Sequence, residues 1–477
     1  MRVRSFVFAM LLFVCSSICF AQITFTASQA ATPGDGFVVS GDFNRDGIPD
    51  LAIAQASGGI NVLLGHANGT YSSFSTVAAD GDITQIAMAD VNHDGRLDLI
   101  ANSLGNELQF LLGNVDGTFT RASSLLLSFE AGAFVVGDFN NDGFVDVATH
   151  ECQTVQNPFC VVNVYLNDHT GHFNLSASIT PVSAQSGNRN PGTLALIDAN
   201  GDGHQDLAFL DVDGFEVALG DGKGSFLTPT FKAVTNPDSI QTGSFNHDSK
   251  LDLAIRTTDD CIGCSQPTTH VAIYQNDGTG NFGLRSRLLM GSTDSFGVAN
   301  APLTITDING DRIADLVTTS DNTGLIHYAL GHGDGTFAAP VQVAHVTNAS
   351  WTAARDLNRD GRHDLIISSG TDGVVHILKN NNATVNCTPP SAATLGVHFC
   401  SPLANQTVAR TFTVSVAGNS PAGTTRLELW IDGKKKTEAV GDQLRSSVTV
   451  AAGRHRIAAV AVDINGTATR AVTVTAQ

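Results

Sequence analysis

Beyond its first twenty residues, the sequence of 477 residues has no apolar run long enough to cross a bilayer as a helix. It also lacks the HExxH, GxSxG and Walker-loop motifs of common hydrolases and nucleotide-binding enzymes. Basic residues are few, because 26 Lys and Arg stand against 45 Asp and Glu, which gives a formal net charge of −19. That charge argues against nucleic acid or an anionic membrane surface as a partner. We therefore expect no transmembrane segment and no nucleic-acid-binding function.

The N-terminus carries an apolar segment of a different kind. Two arginines precede an almost wholly apolar stretch over residues 6–14, and Ala21 offers a small residue for cleavage. This order is typical of an export signal, and the stretch is too short for a membrane anchor. The sequence predicts a signal peptide over residues 1–21. It predicts that the mature chain is secreted and lies outside the cell or in the cell envelope.

The cysteines fit an oxidising compartment. Two of the eight lie in the predicted signal, and the other six form three close pairs: Cys152 with Cys160, Cys261 with Cys264, and Cys387 with Cys400. Local disulfides are the natural interpretation of such pairs in an exported protein. The spacing of Cys261 and Cys264 would also suit a redox or zinc site, but no second CxxC or neighbouring His pair completes one. We predict three local disulfides.

One nine-residue pattern, Asp-x-Asn-x-Asp-Gly-x-x-Asp, recurs along the chain. Its seven copies begin 46 to 63 residues apart, at Asp42, Asp90, Asp138, Asp198, Ser244, Asp307 and Asp356. Five copies are intact, whereas the fifth has Ser244 and Ser249 in place of the first Asp and the Gly, and the sixth has Arg312 in place of the Gly. The period suits a four-stranded unit and is too long for most helical repeats.

The residues between the motifs predict four strands per unit. Alternating apolar residues precede each motif, an apolar run follows it, and a Gly-rich turn then leads to a strand that opens with an aromatic residue. Seven such units would close into a ring without exposed sheet edges. The last unit lacks its aromatic fourth strand, and residues 23–26 have the missing character. We predict an all-β fold: a seven-bladed β-propeller over residues 22–382, which the N-terminal strand closes.

The acidic motif predicts a bound cation. Three carboxylates and an amide at alternating positions would repel one another in an empty loop, whereas Ca²⁺ takes six to eight oxygens. Positions 1, 3 and 5 would bind it with the carbonyl of position 7, Gly at position 6 would allow the bend, and Asp at position 9 would close the shell. A metal-free Asx-rich turn is the alternative for one copy, but five intact copies in register favour calcium.

We expect about five to six Ca²⁺ ions: five good sites, a weaker one in the sixth loop, and a poor or empty one at Ser244. The predicted ligands are Asp42, Asn44, Asp46 and Asp50; Asp90, Asn92, Asp94 and Asp98; Asp138, Asn140, Asp142 and Asp146; Asp198, Asn200, Asp202 and Asp206; Asp307, Asn309, Asp311 and Asp315; and Asp356, Asn358, Asp360 and Asp364.

The segments 41–47 and 330–337, Gly-Asp-Phe-Asn-Arg-Asp-Gly and Leu-Gly-His-Gly-Asp-Gly-Thr-Phe, resemble the FG-GAP (or VCBS) repeats of secreted bacterial proteins. Those repeats are similar to the calcium-binding blades of the integrin α-subunit propeller. The resemblance covers roughly residues 23–382 and implies a seven-bladed propeller with calcium in its hairpin loops. It implies no single activity, because the family includes adhesins, lectins and domains attached to enzymes.

A different pattern begins after the last motif. Residues 383–397 are a linker by composition, and residues 398–477 alternate as the strands of a small β-sandwich do. The opening Ser-Pro at 401 and the Trp-Ile-Asp-Gly hairpin at 430–433 resemble a bacterial immunoglobulin-like domain. Trp430 could stack on a ligand, but a role in the core or the hairpin is the favoured interpretation.

Two functions fit these features. The first is a non-catalytic module that binds or adheres to an extracellular protein or glycan. The second is a secreted carbohydrate-active enzyme, a lyase or hydrolase, built on the propeller. No catalytic motif stands out, and metal binding accounts for the paired carboxylates, so we expect no enzyme. The insertions at 150–161 and 257–270 fall on the face opposite the acidic loops, which makes that face a candidate ligand surface.

Overall fold

A computed structural model describes most of the chain in two compact units, one over Phe25–Asn381 and the other containing the described residues after Asn382. The described residues are 23, 25–30, 36–55, 58–66, 69–153, 159–182, 193–211, 213–246, 248–259, 268–292, 303–311, 313–319, 324–347, 349–358, 362–369, 374–380, 396–401, 407–408, 410–419, 426–440, 443–463 and 466–476. The predicted signal peptide lies outside them, as does most of the predicted linker. The described part of the chain contains no helix that could span a membrane.

The first unit consists of β-strands. A strand β1 (Phe25–Ala30) precedes seven groups of strands, which we number sheets 1 to 7. They are sheet 1, β2 (Val38–Gly41), β3 (Asp50–Ala54), β4 (Ile60–Gly65) and β5 (Tyr71–Val77); sheet 2, β6 (Ile83–Ala89), β7 (Asp98–Ser103), β8 (Glu107–Gly113), β9 (Phe119–Arg121) and β10 (Leu125–Leu126); sheet 3, β11 (Glu130–Gly137), β12 (Asp146–Gln153), β13 (Phe159–Asn167) and β14 (Phe173–Ile179); sheet 4, β15 (Leu194–Ile197), β16 (Asp206–Asp211), β17 (Gly214–Ala218) and β18 (Thr230–Ala233); sheet 5, β19 (Pro237–Gly243), β20 (Asp252–Asp259), β21 (Thr268–Asn276) and β22 (Phe282–Ser292); sheet 6, β23 (Leu303–Thr306), β24 (Asp315–Thr319), β25 (Leu325–Ala329) and β26 (Val341–His345); and sheet 7, β27 (Ala349–Arg355), β28 (Asp364–Ser369) and β29 (Val375–Asn380).

Each sheet is antiparallel and its strands follow chain order, except that β9 and β10 of sheet 2 both pair with β8. The second strand of each sheet is buried along most or all of its length. This burial explains the continuous apolar runs after the motifs, because both faces of such a strand meet apolar neighbours. Every acidic motif begins directly after the first strand of its sheet, and its ninth residue is the first residue of the second strand. The motif is therefore the loop of a β-hairpin, as the sequence predicted.

The sheets follow one another in a closed cycle. The first strand of each sheet contacts the first strand of the next, and β27 of sheet 7 contacts β2 of sheet 1. Apolar clusters fill the spaces between neighbouring sheets; one of them joins Leu51 and Ile53 of sheet 1 to Ile366 and Ile377 of sheet 7. β1 pairs with β29 in sheet 7, with Phe25 opposite Asn380. The predicted closure by the N-terminal strand is confirmed, and the unit is an all-β, propeller-like fold.

One predicted disulfide, Cys152–Cys160, is present and joins β12 to β13. The predicted pairs of Cys261 with Cys264 and of Cys387 with Cys400 lie outside what the structure describes.

The second unit is built from two sheets that share one core. Its strands are β30 (Gly396–Ser401), β31 (Thr407–Val408), β32 (Thr411–Asn419), β33 (Arg426–Ile431), β34 (Lys434–Val440), β35 (Gln443–Thr449), β36 (Gly453–Asp463) and β37 (Gly466–Ala476). One sheet has the order β30-β32-β35 and the other β31-β37-β36-β33-β34. Val414 and Val416 of the first sheet pack with Leu427, Leu429 and Ile457 of the second. The two layers agree with the predicted sandwich, whose immunoglobulin-like character stays a prediction.

Candidate metal-binding loops

The seven acidic motifs form hairpin loops, which we number loops 1 to 7 in chain order. They share one geometry, which loop 2 (90–98) illustrates. Asp90 accepts the backbone N–H groups of Asp94 (3.0 Å) and Gly95 (2.7 Å) on its two carboxylate oxygens. The Asn92 side-chain oxygen accepts the same Asp94 N–H (3.1 Å), and Asp94 accepts the N–H of Arg96 (2.9 Å). Loops 1 and 3 repeat these contacts. The side chains at positions 1, 3 and 5 thus fold the backbone around themselves.

Two residues of the loop adopt a left-handed backbone. The glycines at position 6 do so with φ between 78° and 87° in loops 1 to 4, as predicted. Position 4 does so too, with φ of 60° at Arg45, 57° at His93 and 58° at Asn141. A non-glycine residue there costs ~1 kcal/mol or more, so the loop shape is imposed against local preference. Sequence reasoning missed position 4, although Gly201 and Gly310 occupy it in two copies.

The Asp at position 9 is buried, and its side chain connects two parts of the sheet through two backbone hydrogen bonds, which we call the strap. Asp98 is 0% exposed, and its two oxygens accept the N–H of Val91 (2.9 Å), in its own loop, and of Gly113 (2.7 Å), at the end of β8. The same two bonds form in all seven loops, at Asp50, Asp98, Asp146, Asp206, Asp252, Asp315 and Asp364. Position 9 therefore ties the loop to the third strand of its sheet, a role that the sequence did not predict.

Burial and like charge both disfavour the ionised Asp at position 9. Burial, and to a smaller extent the neighbouring carboxylates at positions 1 and 5, raise the pKa of Asp98 and of Asp146 to about 6 and that of Asp315 to about 8, although the two backbone bonds of each lower it. A cation among these groups would reverse that effect. The carboxylates accept backbone N–H groups instead of converging, and no three of their oxygens within the described residues lie within 4.8 Å of one another.

The donor set fits a hard divalent cation. Positions 1, 3, 5 and 9 present only carboxylate and amide oxygens, which Ca²⁺ prefers. A carboxylate has about four lone-pair sites, so an Asp that accepts two N–H bonds keeps capacity for a metal. Asp360 of loop 7 and Arg312 of loop 6 lie outside the described residues. A bound Ca²⁺ would supply positive charge to the loop, and the side chains and the backbone bonds above would hold it in place.

Five loops, loops 2 to 6, also contact the next sheet through their second residue. The carbonyls of Phe139, Ala199 and Phe245 in loops 3, 4 and 5 accept backbone N–H groups of Gly224 (3.0 Å), Gly280 (3.0 Å) and Gly335 (2.8 Å) in the Gly-rich turns of sheets 4, 5 and 6. In loops 2 and 6, the side-chain amides of Asn167 (2.8 Å) and Asn380 (2.7 Å) bind the carbonyls of Val91 and Ile308 in the same way. In these loops the backbone of position 2 is thus held on both sides: its N–H by the Asp at position 9 and its carbonyl by the neighbouring sheet.

Loop 5 keeps the strap but changes the charge. Ser244 removes one carboxylate, and Ser249 has φ of 67° where glycine belongs. The Lys250 ammonium lies in the loop and donates to the Asp277 carbonyl (2.6 Å), while Asp252 keeps both of its backbone bonds. A lysine charge beside two remaining carboxylates lowers the attraction for a divalent cation. This supports the expectation of a poor site.

Restoring the consensus in loop 5 is expected to create a site. S249G alone should raise the free energy of unfolding by about 1 kcal/mol because glycine adopts a positive φ without strain. S244D/S249G should bind one Ca²⁺ more than the parent chain, measured by equilibrium dialysis and metal analysis. S249A is the matched control, since it keeps the strained φ and should give no stabilisation. An unchanged calcium count in the double variant would contradict the ligand assignment of position 1.

The FG-GAP-like repeat family matches residues 42–101, 91–149 and 307–367. No curated protein matches the chain. Among solved structures, the chain is similar to BBS1N from its complex with ARL6DN, at 11% identity and a TM-score of 0.50 over 76% of this chain and 97% of that one. It also resembles an Agrocybe aegerita lectin that recognises non-reducing terminal N-acetylglucosamine, at 15% identity and a TM-score of 0.46 over 86% and 99% of the two chains. The likeness to BBS1N shows the fold alone. Residues 42–149 and 307–367 of the propeller-like unit thus carry FG-GAP-like repeats.

Proposed function

We propose that this chain is a secreted, calcium-binding propeller of seven blades that acts as a non-catalytic binding or adhesion module for an extracellular protein or glycan. The observation that carries the proposal is the repetition of one oxygen-rich hairpin loop in seven successive sheets. A single catalytic centre would need one distinctive group of residues, whereas a scaffold benefits from the same stabilising device in every blade.

Calcium in this proposal is structural. The loops tie the first strand to the third strand within a sheet, and loops 2 to 6 also bond to the next sheet, three of them through its Gly-rich turn. An ion in each loop would offset the repulsion among its carboxylates and hold these contacts in one geometry. The result would be a rigid platform on which less regular loops can present a binding surface.

Strand lengths favour the face opposite the acidic loops as the binding surface. The second strands of sheets 3 and 5, β12 and β20, have eight residues each, whereas those of the other sheets have five or six. Their extra length extends away from the acidic loops and leads into the two cysteine-containing connections. The Cys152–Cys160 disulfide fixes the base of one connection. Two lengthened hairpins on one face, one of them with a disulfide at its base, would suit recognition of a large ligand.

A cleft between sheets 4 and 5 offers a second feature for binding. It has a volume of about 430 Å³ and is lined by Asp213, Tyr274, Leu284 and Arg287 among others. It joins charged and hydroxyl groups to an exposed leucine, the combination that orients and buries a ligand. This cleft is the place on the propeller-like unit where we would first look for a small ligand.

The proposal is tested by counting ions and by separating binding from turnover. The mature chain, dialysed against calcium, should hold five to six Ca²⁺ per molecule. On arrays of glycans and extracellular proteins it should bind a ligand without converting it, and polysaccharides incubated with it should keep their size and reducing ends. Absence of bound calcium would overturn the metal assignment. New reducing ends or unsaturated products would instead establish the enzyme alternative.

A further inference from the structure

The second unit has the opposite charge to the rest of the chain. Residues 396–477 contain nine Lys or Arg and five Asp or Glu, whereas residues 1–395 contain 17 and 40. A net positive unit in a net negative chain points to an interaction of its own. The acidic motif does not occur in residues 396–477, so calcium loops do not explain this unit.

The cations surround an aromatic side chain on the outer face of the larger sheet. In β33, Leu427 and Leu429 point into the core, so Glu428 and Trp430 lie on the opposite face. Trp430 pairs with Lys435 of β34 on one side and with Ala458 of β36 on the other. The structure therefore places Trp430 outside the core, partly exposed in the middle of an open sheet face. Of the two favoured interpretations, a core or a hairpin tryptophan, the structure supports the hairpin, because Trp430 pairs with Lys435 just before the turn between β33 and β34.

The indole is fixed in place. Its Nε1–H donates to Glu428 Oε2 (3.1 Å), two residues back on the same strand and face, so the ring extends along the sheet. Lys435 (3.0 Å) and Arg426 (3.1 Å) donate to the other oxygen of Glu428. Hydrogen bonds from Lys435, Trp430 and Arg426, that from Lys435 the strongest, lower the pKa of Glu428, which is therefore ionised at neutral pH. A charged acceptor makes the bond to the indole stronger than a neutral one would.

Unpaired cations and small side chains border the ring. Arg456 lies on the same face of β36, two residues from Ala458, and Arg454 lies two residues further along. Within the described residues their guanidinium groups have no hydrogen-bond or ion-pair partner. Ala458 is paired with Ala471 of β37, so the β36 side of Trp430 carries no bulky side chain. The unpaired cations thus follow one strand, β36, along the exposed face beside the indole.

We propose that this face binds an anionic polysaccharide, whose sugar ring stacks on Trp430 and whose carboxylate or sulfate groups bind Arg454 and Arg456. Lys435 is already paired with Glu428 (3.0 Å) and Glu438 (2.7 Å) and positions the indole acceptor instead. The indole supplies a flat apolar surface that suits the C–H face of a sugar. Guanidinium groups match the geometry of carboxylate and sulfate oxygens. An open face with several cations suits a polymer with repeated charges. A small molecule would contact such a face on one side alone and would make few contacts. The proposal deepens the proposed binding function and rests on it for the extracellular setting, but it uses residues outside the calcium loops.

The test uses the full mature chain and four probes: hyaluronate, dextran sulfate, neutral dextran and poly(dT). We expect binding to one or both anionic glycans and none to neutral dextran. W430A should weaken binding tenfold or more, whereas W430F should keep most of it. R454A/R456A, at exposed positions, should weaken binding and reduce its dependence on salt. The chain has two tryptophans, so W351F leaves Trp430 as the single tryptophan fluorophore, and its emission should change on addition of the glycan.

The outcomes separate this site from the propeller. Binding should persist in EGTA, because the residues involved include no predicted calcium ligand; loss of binding in EGTA would place the ligand on the propeller and overturn the proposal. The proposal would also be overturned if W430A and R454A/R456A bound the anionic glycan as tightly as the parent chain does. Tighter binding of poly(dT) than of either anionic glycan would show a nucleic-acid site instead. A chain that binds no calcium but still binds glycan through Trp430 would refute the metal assignment and leave this proposal standing.

Discussion

Asn in place of Asp252 is expected to lower the free energy of unfolding by about 3 kcal/mol, with or without calcium. Asp252 is 0% exposed and accepts the N–H groups of Phe245 (3.4 Å) and Asn276 (2.9 Å). An asparagine can accept one of these bonds, but its NH₂ group then faces the other N–H, which is left without an acceptor. Loop 5 is the best place for this test because its poor metal site separates the strap from any ligand role.

Asp248 of the same loop provides the matched control. It is exposed and accepts the N–H of Lys250 (3.0 Å) within its own turn. D248N should therefore change the stability by less than about 1 kcal/mol. Urea midpoints of D252N, D248N and the parent chain, each in calcium and in EGTA, measure the difference. Equal midpoints for D252N and D248N would contradict the stabilising role of the strap. A loss of stability by D252N in calcium alone would identify Asp252 as a calcium ligand.

The fold was accessible from the sequence because the repeat displays each strand several times. One hairpin loop with apolar runs on both sides is ambiguous, but seven copies at a regular spacing allow few arrangements other than a ring of small sheets. Even the closure by β1 followed from a missing aromatic strand after the last motif. Strand pairing inside a hairpin is local, so the motif fixed the register wherever it occurred.

The contacts of the loops were less accessible, since they join residues distant in sequence. Asp98 accepts the N–H of Gly113 at the end of β8. The contact between sheets 3 and 4 depends on the N–H of Gly224, which donates to the carbonyl of Phe139. Nothing in a nine-residue motif indicates such partners. Trp430 is a different case, because its strand alternates Arg-Leu-Glu-Leu-Trp-Ile and so places Trp430 on the side of Arg426 and Glu428. The alternation thus separates the two interpretations of Trp430, because it favours a hairpin tryptophan on the outer face over a core tryptophan.

Removal of calcium is expected to lower the melting temperature by about 10 °C. For extracellular modules the dissociation constant is on the order of 10⁻⁴–10⁻³ M. At a tenfold excess of free calcium, each occupied site then stabilises the native state by about 1.4 kcal/mol, and five sites by about 7 kcal/mol. A unit of this length loses about 1 °C or slightly more for each kcal/mol. The loops act together because loops 2 to 6 each also bond to the next sheet.

Thermal unfolding of the mature chain in calcium and in excess EGTA measures this shift. D90N in loop 2 should lose one ion and about a fifth of the shift, because Asp90 is a predicted ligand at the partly exposed first position. S244A is its matched control, since loop 5 is expected to contribute little in either condition. A melting temperature that EGTA leaves unchanged, with no ion bound, would show that the backbone bonds of the seven loops hold the hairpins without metal. The carboxylates at positions 1 and 5 would then stabilise only the turns of their own loops. The backbone hydrogen bonds of the Asp at position 9 would have to offset the repulsion between that Asp and those carboxylates.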